Sequence, residues 1–411
     1  MKRAASLTAA GRMRASGMRK PNAALLLNII RENGPVSRAE LARLTGLSQP
    51  TVSSQVVDLI ERGIVVEDGA GEARSSGGKS PIMLRFDLRR EPIAAAEIGP
   101  SSVRVWLAEL DGRPFDSQAS PITPALGAAH ILILSSLCGT TQKMLAQTGR
   151  RMNLQAAAIA ATGRMDADSG TVLEAGNVFH WRKVGIRLRL QDHFGATVAV
   201  NNDVNFAAPG EMRSGRAIGV QNFILIRDGT GIGAGRVFGG LLYRGTDLAA
   251  GEIGHMLVDR GAPLEDAAHR GWLELAIGSD RVCERVLSAH DGPSSIASTL
   301  SIAGLAGELA SLVCRMVDAA ARVLDEVASK VSISVADLAA TIDCELTVLA
   351  GDLFGLVVGC VREPVGRVIP WPVRIELAGL GADAALMGAT SSARGLAGCA
   401  TWAWTRFHSQ H

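Results

Sequence analysis

The sequence predicts an α/β protein in which a small basic N-terminal unit precedes a larger acidic body. Its 411 residues are 47% hydrophobic and 20% charged, which is a globular composition, and 46 glycines favour a turn-rich α/β chain. The net charge of +2 hides an asymmetry, because residues 1–90 carry 15 Lys and Arg against 8 Asp and Glu, whereas residues 91–411 carry 27 against 32. A basic excess at one end alone indicates a polyanionic partner for that end.

Composition excludes several other classes of protein. The longest apolar runs fall far short of the ~18 residues that a bilayer-spanning helix needs. Few aromatic side chains argue against a base-stacking binder of single-stranded RNA. Residues 1–20 lack a continuous apolar stretch, so we expect a flexible basic arm, with an organellar transit peptide as the alternative.

The cysteines form no Cys-x-Cys or Cys-x-x-Cys pair. They are Cys138, Cys283, Cys314, Cys344, Cys360 and Cys399. This spacing predicts buried thiols in a reducing, cytoplasmic compartment rather than a disulfide framework or a zinc site.

The segment 21–88 has the pattern of a winged helix-turn-helix. An apolar stripe over residues 25–30 predicts a first helix that ends at an Asn-Gly-Pro break. Ser37 followed by Glu40 is a capping box that begins a second short helix, which stops at Gly46.

A third helix and a hairpin complete this motif. The helix begins after Ser48, tolerates Pro50 in its first turn and ends at Gly63. Its apolar positions are Val52, Val56, Leu59 and Ile60. Two apolar runs, 64–66 and 82–84, flank a Gly-rich stretch and predict a β-hairpin wing.

In such a motif the helix after the tight turn enters the major groove, and residues near its N-terminus reach base edges. The candidates on its free face are Gln49, Thr51 and Ser54. Phosphate contacts, which set register rather than sequence, are expected from Arg38, Arg74 and Lys79. A helical protein-interaction module is the alternative, since three-helix units also serve that role.

The body, residues 89–411, alternates short strands, glycine turns and Ala/Leu-rich helices. Strands are predicted over 93–98, 103–110, 154–160, 198–200 and 223–226, and helices over 186–194, 206–212 and 307–327. Two of the strands run into polar or Gly-rich turns, which is where α/β sheets bind ligands.

These turns carry candidate chemistry with ordinary alternatives. Consecutive glycines over 229–235 suit a phosphate cradle, but a Gly-rich β-hairpin has the same pattern. Asp203 is a candidate general base or hydroxyl acceptor, and equally a helix N-cap. Glu252 and His255, three residues apart, belong either to a site or to a surface pair.

These segments together resemble the ROK family of repressors, open reading frames and sugar kinases, in its transcriptional-regulator branch. The resemblance covers about residues 22–395. Its most specific pieces are Gly34-Pro-Val-Ser-Arg-Ala-Glu-Leu-Ala, Leu47-Ser-Gln-Pro-Thr-Val-Ser, Gly77-Gly-Lys-Ser-Pro, Asn202-Asp-Val-Asn, Gly229-Thr-Gly-Ile-Gly-Ala-Gly and Ala250-Gly-Glu-Ile-Gly-His. It implies an actin-like, ribonuclease-H-like body of two lobes that close on a sugar.

The resemblance also implies the residues of a sugar site. Asn202 and Asp203 would hold sugar hydroxyls, with Asp203 the base in members that phosphorylate. Glu252, His255 and Glu274 would complete the pocket. Such bidentate groups reject analogues that lack a hydroxyl.

The sequence departs from the family pattern at two motifs, and each departure predicts the loss of a function. The first phosphate motif, Asp-x-Gly-Gly-Thr in the family, has Glu97 and Pro100 here, and Pro100 lacks an N–H in a turn meant to hug the nucleotide. We therefore expect neither efficient ATP and magnesium binding nor phosphoryl transfer. The phosphate loop is then vestigial at Gly229, Thr230, Gly231 and Gly233.

The second departure concerns zinc. The family's Cys-x-Cys-x4-Cys positions fall on Glu265, Ala267 and Trp272, which leaves His255 as the remaining ligand. One imidazole cannot make a tetrahedral structural site, so we expect no zinc and no other cofactor.

The resulting hypothesis is a cytoplasmic bacterial DNA-binding regulator, a repressor that responds to a sugar or sugar derivative. Its expected partners are a double-stranded DNA operator, the sugar effector and copies of itself in a homodimer or homotetramer. The alternatives are an active ATP-dependent sugar kinase with an appended DNA-binding domain, and a DNA-bound protein that no longer senses a ligand.

Overall fold

The computed structural model divides into two compact units, residues 1–91 and 92–411. It describes residues 22–23, 25–27, 29–30, 33–61, 63–71, 80–87, 92–99, 102–122, 129–148, 153–175, 181–229, 231–258, 271–288 and 318–399. The boundary expected between residues 88 and 89 lies outside the described residues. None of the helices in the described ranges combines the length and apolar composition that crossing a membrane requires.

Among its described residues, the N-terminal unit has three helices and a three-stranded antiparallel sheet. Every described residue between 22 and 33 is helical and forms α1. The other elements are β1 (Val36–Ser37), α2 (Arg38–Thr45), α3 (Gln49–Glu61), β2 (Val65–Ala70) and β3 (Ile82–Phe86). The strand order is β1-β3-β2. Strands β2 and β3 are the expected wing, whereas β1 is too short to show a sequence pattern.

Capping residues fix the helix-turn-helix. Ser37 Oγ accepts a hydrogen bond from the backbone N–H of Glu40 at 3.2 Å, which confirms it as the N-cap of α2. Gly46 ends that helix with a φ of 69°, a conformation that favours glycine. The apolar stripes meet in a core that includes Leu26, Ile30, Leu41, Val52 and Val56.

The first lobe of the body is built on a five-stranded sheet with the order β11-β7-β4-β5-β6. Its strands are β4 (Ile93–Ile98), β5 (Ser102–Ala108), β6 (Pro114–Pro121), β7 (Ala156–Ala161) and β11 (Thr197–Asn202). Helices α4 (Ala129–Gln147) and α5 (Arg187–Phe194) pack on it. A small sheet contains β8 (Arg164–Asp166), β9 (Thr171–Glu174) and β10 (Arg182–Gly185).

The second lobe is built on a sheet with the order β14-β13-β12-β15-β16. Its strands are β12 (Phe223–Arg227), β13 (Gly233–Phe238), β14 (Leu241–Leu242), β15 (Leu346–Ala350) and β16 (Arg374–Leu377). Helix α6 (Asp203–Ser214) follows β11 of the first lobe and packs on β12 and β13, so it joins the two lobes. The second lobe also contains α7 (Trp272–Ile277), α8 (Ser279–Ser288), α9 (Asp318–Ile342) and α10 (Asp352–Val368). Helix α11 (Ala384–Arg394) packs on α6 and on β4 and β7 of the first lobe. Short turns of 3-10 helix cover Ile253–His255 and Gly381–Asp383, and a π-type turn covers Gly395–Cys399.

The two lobes repeat one topology. In each sheet the first strand, β4 or β12, pairs antiparallel with the next strand and parallel with the fourth. The carboxyl ends of β4 and β12 are therefore equivalent positions. This duplication confirms the two-lobed α/β body that the resemblance implied.

Some element boundaries differ from the sequence prediction. Helix α6 begins at Asp203 rather than residue 206, because Asn202 caps it. Residues 307–317 of the helix predicted over 307–327 lie outside the described residues, and α9 continues from Asp318 to Ile342. Buried valines at 323, 327, 331 and 335 extend its apolar stripe beyond the predicted end.

Candidate functional site

A cavity of about 400 Å³ is lined by residues of both lobes of the body. Its walls come from the β11–α6 turn, the β12–β13 turn, the segment 248–255 and the start of α7. The five residues that the resemblance assigned to a sugar all line it. They are Asn202, Asp203, Glu252, His255 and Glu274.

Asn202, and not Asp203, is the N-cap of α6. Its Oδ1 accepts hydrogen bonds from the backbone N–H groups of Val204 at 2.9 Å and Asn205 at 3.2 Å. Its side-chain amide donates to the Gly163 carbonyl at 3.0 Å. Because Asn202 is the cap, Asp203 is the first residue of the helix. Its Oδ2 accepts a hydrogen bond from Arg227.

Glu252 and His255 lie on one short turn at the cavity. Gly251 brings this turn against β13, since a Cβ there would lie 1.9 Å from the Ala234 carbonyl oxygen. Loss of water between the cavity walls raises the pKa of the Glu252 carboxyl, an effect that His255 opposes and Glu274 reinforces. Both residues line the cavity, and both are exposed to solvent there.

Glu274 reaches the cavity from α7 and is buried. Its Oε2 accepts a hydrogen bond from the backbone N–H of Ile232 at 3.2 Å. This contact joins α7 to the β12–β13 turn, so that Glu274 both lines the cavity and fixes one of its walls.

The described residues of the glycine run 229–235 belong to the β12–β13 hairpin. Arg227 pairs with Gly233 at the end of the antiparallel β12–β13 ladder. A Cβ at Gly235 would lie 2.7 Å from the Ala208 Cβ, so this glycine allows α6 to pack on the hairpin. Three of the expected phosphate-loop glycines, at 229, 231 and 233, line the cavity, and Thr230 lies outside the described residues.

Two arginines that were not predicted from the sequence form ion pairs with carboxylates that line the cavity. Arg227 donates from Nη2 to Glu97 Oε1 at 2.7 Å and from Nη1 to Asp203 Oδ2 at 3.2 Å. Arg104 donates to the other oxygen of Glu97 and, at 2.8 Å, to Asp383. The sequence does contain a signal for Arg227, since the charged pair Arg227-Asp228 directly follows the apolar residues 223–226.

This cluster controls the charge of its members. Burial opposes ionisation of Glu97, but Arg227 and Arg104 outweigh it and lower the pKa of that carboxyl. Burial raises the pKa of Asp203, with Arg227 opposing and Glu97 adding to the shift. The pKa of Arg227 is raised, because the two carboxylates outweigh its own burial.

Asp228 caps helix α10, although it lies 126 residues before the capped residue in the chain. Its buried Oδ2 accepts a hydrogen bond from the backbone N–H of Phe354, in the first turn of α10, at 2.7 Å. Gly351 is required beside it, since a Cβ there would lie 2.1 Å from Asp228 Oδ1. Burial raises the pKa of Asp228 to about 7.

The N-terminal unit presents part of the predicted DNA surface. Gln49 and Ser54 on α3 are exposed, and Thr51 is half-buried with its hydroxyl 2.8 Å from that of Ser48. Arg38 is held by Glu67 at 3.0 Å. Arg74 and Lys79 lie outside the described residues.

No group of three or more His, Cys, Asp or Glu in the described part of the chain is arranged to hold a metal ion. Of the three positions that replace the family's zinc ligands, Glu265 and Ala267 lie outside that part. Trp272 is the half-buried first residue of α7.

Both units match known protein families. A model described as the ROK family matches residues 94–395, and one described as the MarR family matches residues 17–75. A xylose repressor of Bacillus subtilis is 31% identical over 295 residues, which cover 70% of this chain and 73% of that protein.

Two solved structures share the architecture. A ROK family transcriptional regulator, a homolog of the E. coli MLC protein, has a TM-score of 0.69 at 20% identity, and the match covers 93% of this chain and 97% of that one. A ROK family glucokinase from Streptomyces griseus, solved with glucose and AMPPNP, has a TM-score of 0.61 at 25% identity, with 74% and 99% covered. The regulator matches over both units, whereas the glucokinase covers a smaller share of this chain.

Proposed function

The chain belongs to the ROK family, and on that premise we propose that it is a sugar-responsive repressor that binds operator DNA through its winged helix-turn-helix. One observation carries the proposal. A MarR-type unit precedes a body in which one cavity, lined by both lobes, gathers the carboxylates of Asp203, Glu252 and Glu274 with His255. The relative that shows the family is itself a repressor.

In this proposal the carboxylates accept hydrogen bonds from sugar hydroxyls. Asp203 lies on the first lobe side, and Glu252, His255 and Glu274 on the second. Asn202 positions Asp203 by capping α6. Because the ligand contacts both lobes, it binds one lobe arrangement better than the other, and that difference is what can change affinity for DNA.

The DNA-binding form we propose is a homodimer or homotetramer on a pseudo-palindromic operator. Gln49, Thr51 and Ser54 contact bases, while Arg38, Arg74 and Lys79 contact phosphates. Binding by the phosphate-contacting residues weakens as salt rises, because each contact releases counterions. Substituting Arg74 and Lys79 should therefore abolish binding at raised salt before it does so at low salt.

We also propose that the body does not phosphorylate its ligand and holds no zinc. Arg227 pairs with Asp203, the carboxylate that a kinase would use as base. Pro100, in the altered phosphate motif, lies outside the described residues. At the zinc positions, Glu265, Ala267 and Trp272 supply no thiolate.

An active sugar kinase is the second candidate, favoured by the similarity to the Streptomyces griseus glucokinase. A coupled assay with ATP and a sugar panel separates the two. We expect no turnover, and turnover that Asp203→Asn abolishes would establish the kinase instead.

The main test is calorimetric titration of pentoses, hexoses, N-acetylhexosamines and their phosphates, followed by mobility shift on the upstream DNA. We expect one ligand to bind and to change the DNA affinity. Glu252→Ala or His255→Ala should weaken ligand binding by on the order of 10–100-fold, the usual cost of losing a hydrogen bond to a charged group. The control Glu363→Ala, at an exposed ion pair on α10, should not.

Two outcomes contradict the proposal. If no sugar binds, the sensing assignment is wrong. If a chain lacking residues 1–88 binds the DNA as well as the full chain, the DNA-binding assignment is wrong.

A further inference from the structure

The equivalent strands of the two lobes meet at an ion pair. β4 of the first lobe carries Glu97 near its carboxyl end, and β12 of the second lobe ends at Arg227. The Arg227 guanidinium reaches Glu97 at 2.7 Å and Asp203 at 3.2 Å. One cation from the second lobe therefore joins two carboxylates of the first.

A divalent cation does not fit these residues. The resemblance places the acid of the first phosphate motif, here Glu97, near magnesium in family members that phosphorylate. Mg²⁺ requires oxygen ligands at about 2.0–2.1 Å in octahedral geometry. Here the Glu97 and Asp203 carboxylates both lie at hydrogen-bond distance from one guanidinium, which fills the space between them.

We propose that Arg227 is a built-in cation that replaces a divalent metal ion at the floor of the cleft. It neutralises Glu97 and Asp203 and holds the two lobes together there without any metal. This inference depends on neither the sugar nor the operator, so it stands apart from the proposed function.

The charges around Arg227 support this role. Glu97 has a second cation, Arg104, whose Nε lies 3.1 Å from Glu97 Oε2. Among the residues that the structure describes, Asp203 has Arg227 as its one ion-pair partner. The buried Asp228 carboxylate also stabilises the charge of Arg227. Arg227 is thus the cation that neutralises the acidic corner formed by Glu97 and Asp203.

Arg104 extends the ion pairs to the turn before α11. It donates to Asp383 at 2.8 Å and to the Ala382 carbonyl, both in the turn before α11. Charges therefore alternate along the series Asp383, Arg104, Glu97, Arg227 and Asp203. Removing Arg227 cuts this series and leaves an acidic corner that a free cation can fill.

The test is Mn²⁺ binding to the full chain, measured from the paramagnetic resonance of free Mn²⁺, together with thermal unfolding in MnCl2 or in NaCl of equal ionic strength. The wild type should bind no Mn²⁺ in a Glu97-dependent way, and its Tm should not depend on which salt is present. Arg227→Met should have a lower Tm, bind roughly one Mn²⁺ per chain and recover several degrees of Tm in MnCl2.

Three variants assign the effect to this position. Arg227→Lys keeps a positive charge and should bind no Mn²⁺. Adding Glu97→Gln to Arg227→Met should abolish the new binding. Arg189→Met removes an exposed arginine from α5 and should behave as the wild type.

The proposal is overturned if folded Arg227→Met binds no Mn²⁺, or if the wild type binds Mn²⁺ in a way that Glu97→Gln abolishes. If Arg227→Met is unfolded in EDTA, recovery of native circular dichroism in MnCl2 supports the proposal. Absence of that recovery overturns it.

Discussion

Asp228→Asn should change how the stability of the protein depends on pH, with a free energy of unfolding that rises relative to the wild type as the pH increases. Asp228 is 6% exposed, and its burial raises the pKa from 3.8 to about 7. The folded state therefore binds the proton more tightly than the unfolded state. This contribution to stability is fully present below pH 4 and is lost as the pH rises through 7.

The magnitude follows from the shift of about three pKa units, at about 1.4 kcal/mol each. Asparagine does not titrate, and its side-chain oxygen can still accept the hydrogen bond from Phe354. The free energy of unfolding of Asp228→Asn, relative to the wild type, should therefore rise by about 4 kcal/mol between pH 4 and pH 8.

Thermal unfolding of both full chains over that pH range measures this difference as a shift in Tm. We expect the variant to gain on the order of 5–10 °C over the wild type as the pH rises. The control Asp192→Asn, at an exposed position on α5, should keep a constant difference from the wild type. A constant or falling difference for Asp228→Asn would refute the reasoning.

Two further substitutions test the packing and capping described above. Gly235→Ala should destabilise the body by about 1–3 kcal/mol in thermal unfolding, because the added Cβ meets the Ala208 Cβ at 2.7 Å. Gly355→Ala in α10, where a Cβ meets nothing within 4 Å, should not destabilise it, and equal effects at both sites would disprove the packing argument. Ser37→Ala should cost the N-terminal unit about 1 kcal/mol by loss of the N-cap, seen as faster hydrogen exchange in α2. Ser37→Asp should retain the protection, and unchanged exchange in Ser37→Ala would show that the cap contributes nothing.

Local patterns predicted the parts of the fold that depend on neighbouring residues. Strand 93–98 and the N-cap Ser37 could be predicted directly, since a short apolar run and a capping box each involve residues only a few positions apart. The choice between Asn202 and Asp203 as the cap of α6 could not, because both residue types serve as N-caps. Nor could the glycine run be resolved as a hairpin, because a phosphate cradle needs the same residues.

The ion pairs of the cleft depend on distant parts of the chain. Glu97 and Arg227 are 130 residues apart, and Arg104 and Asp383 are 279 apart. The fold brings these residues together, so no local spacing in the sequence predicts their ion pairs. The resemblance supplied the sugar-site positions, but the contacts of Arg227 needed the three-dimensional structure.

Helix α11 has a consequence for how the protein is made. This helix, Ala384–Arg394, packs on β4 and β7 of the first lobe, although nearly 300 residues separate it from β4. The sheet of the first lobe leaves the ribosome early, but the part of it that α11 covers stays uncovered until that helix is synthesised. The nascent chain must carry an incomplete first lobe through most of translation, and loss of the C-terminal segment would damage the lobe that begins the body.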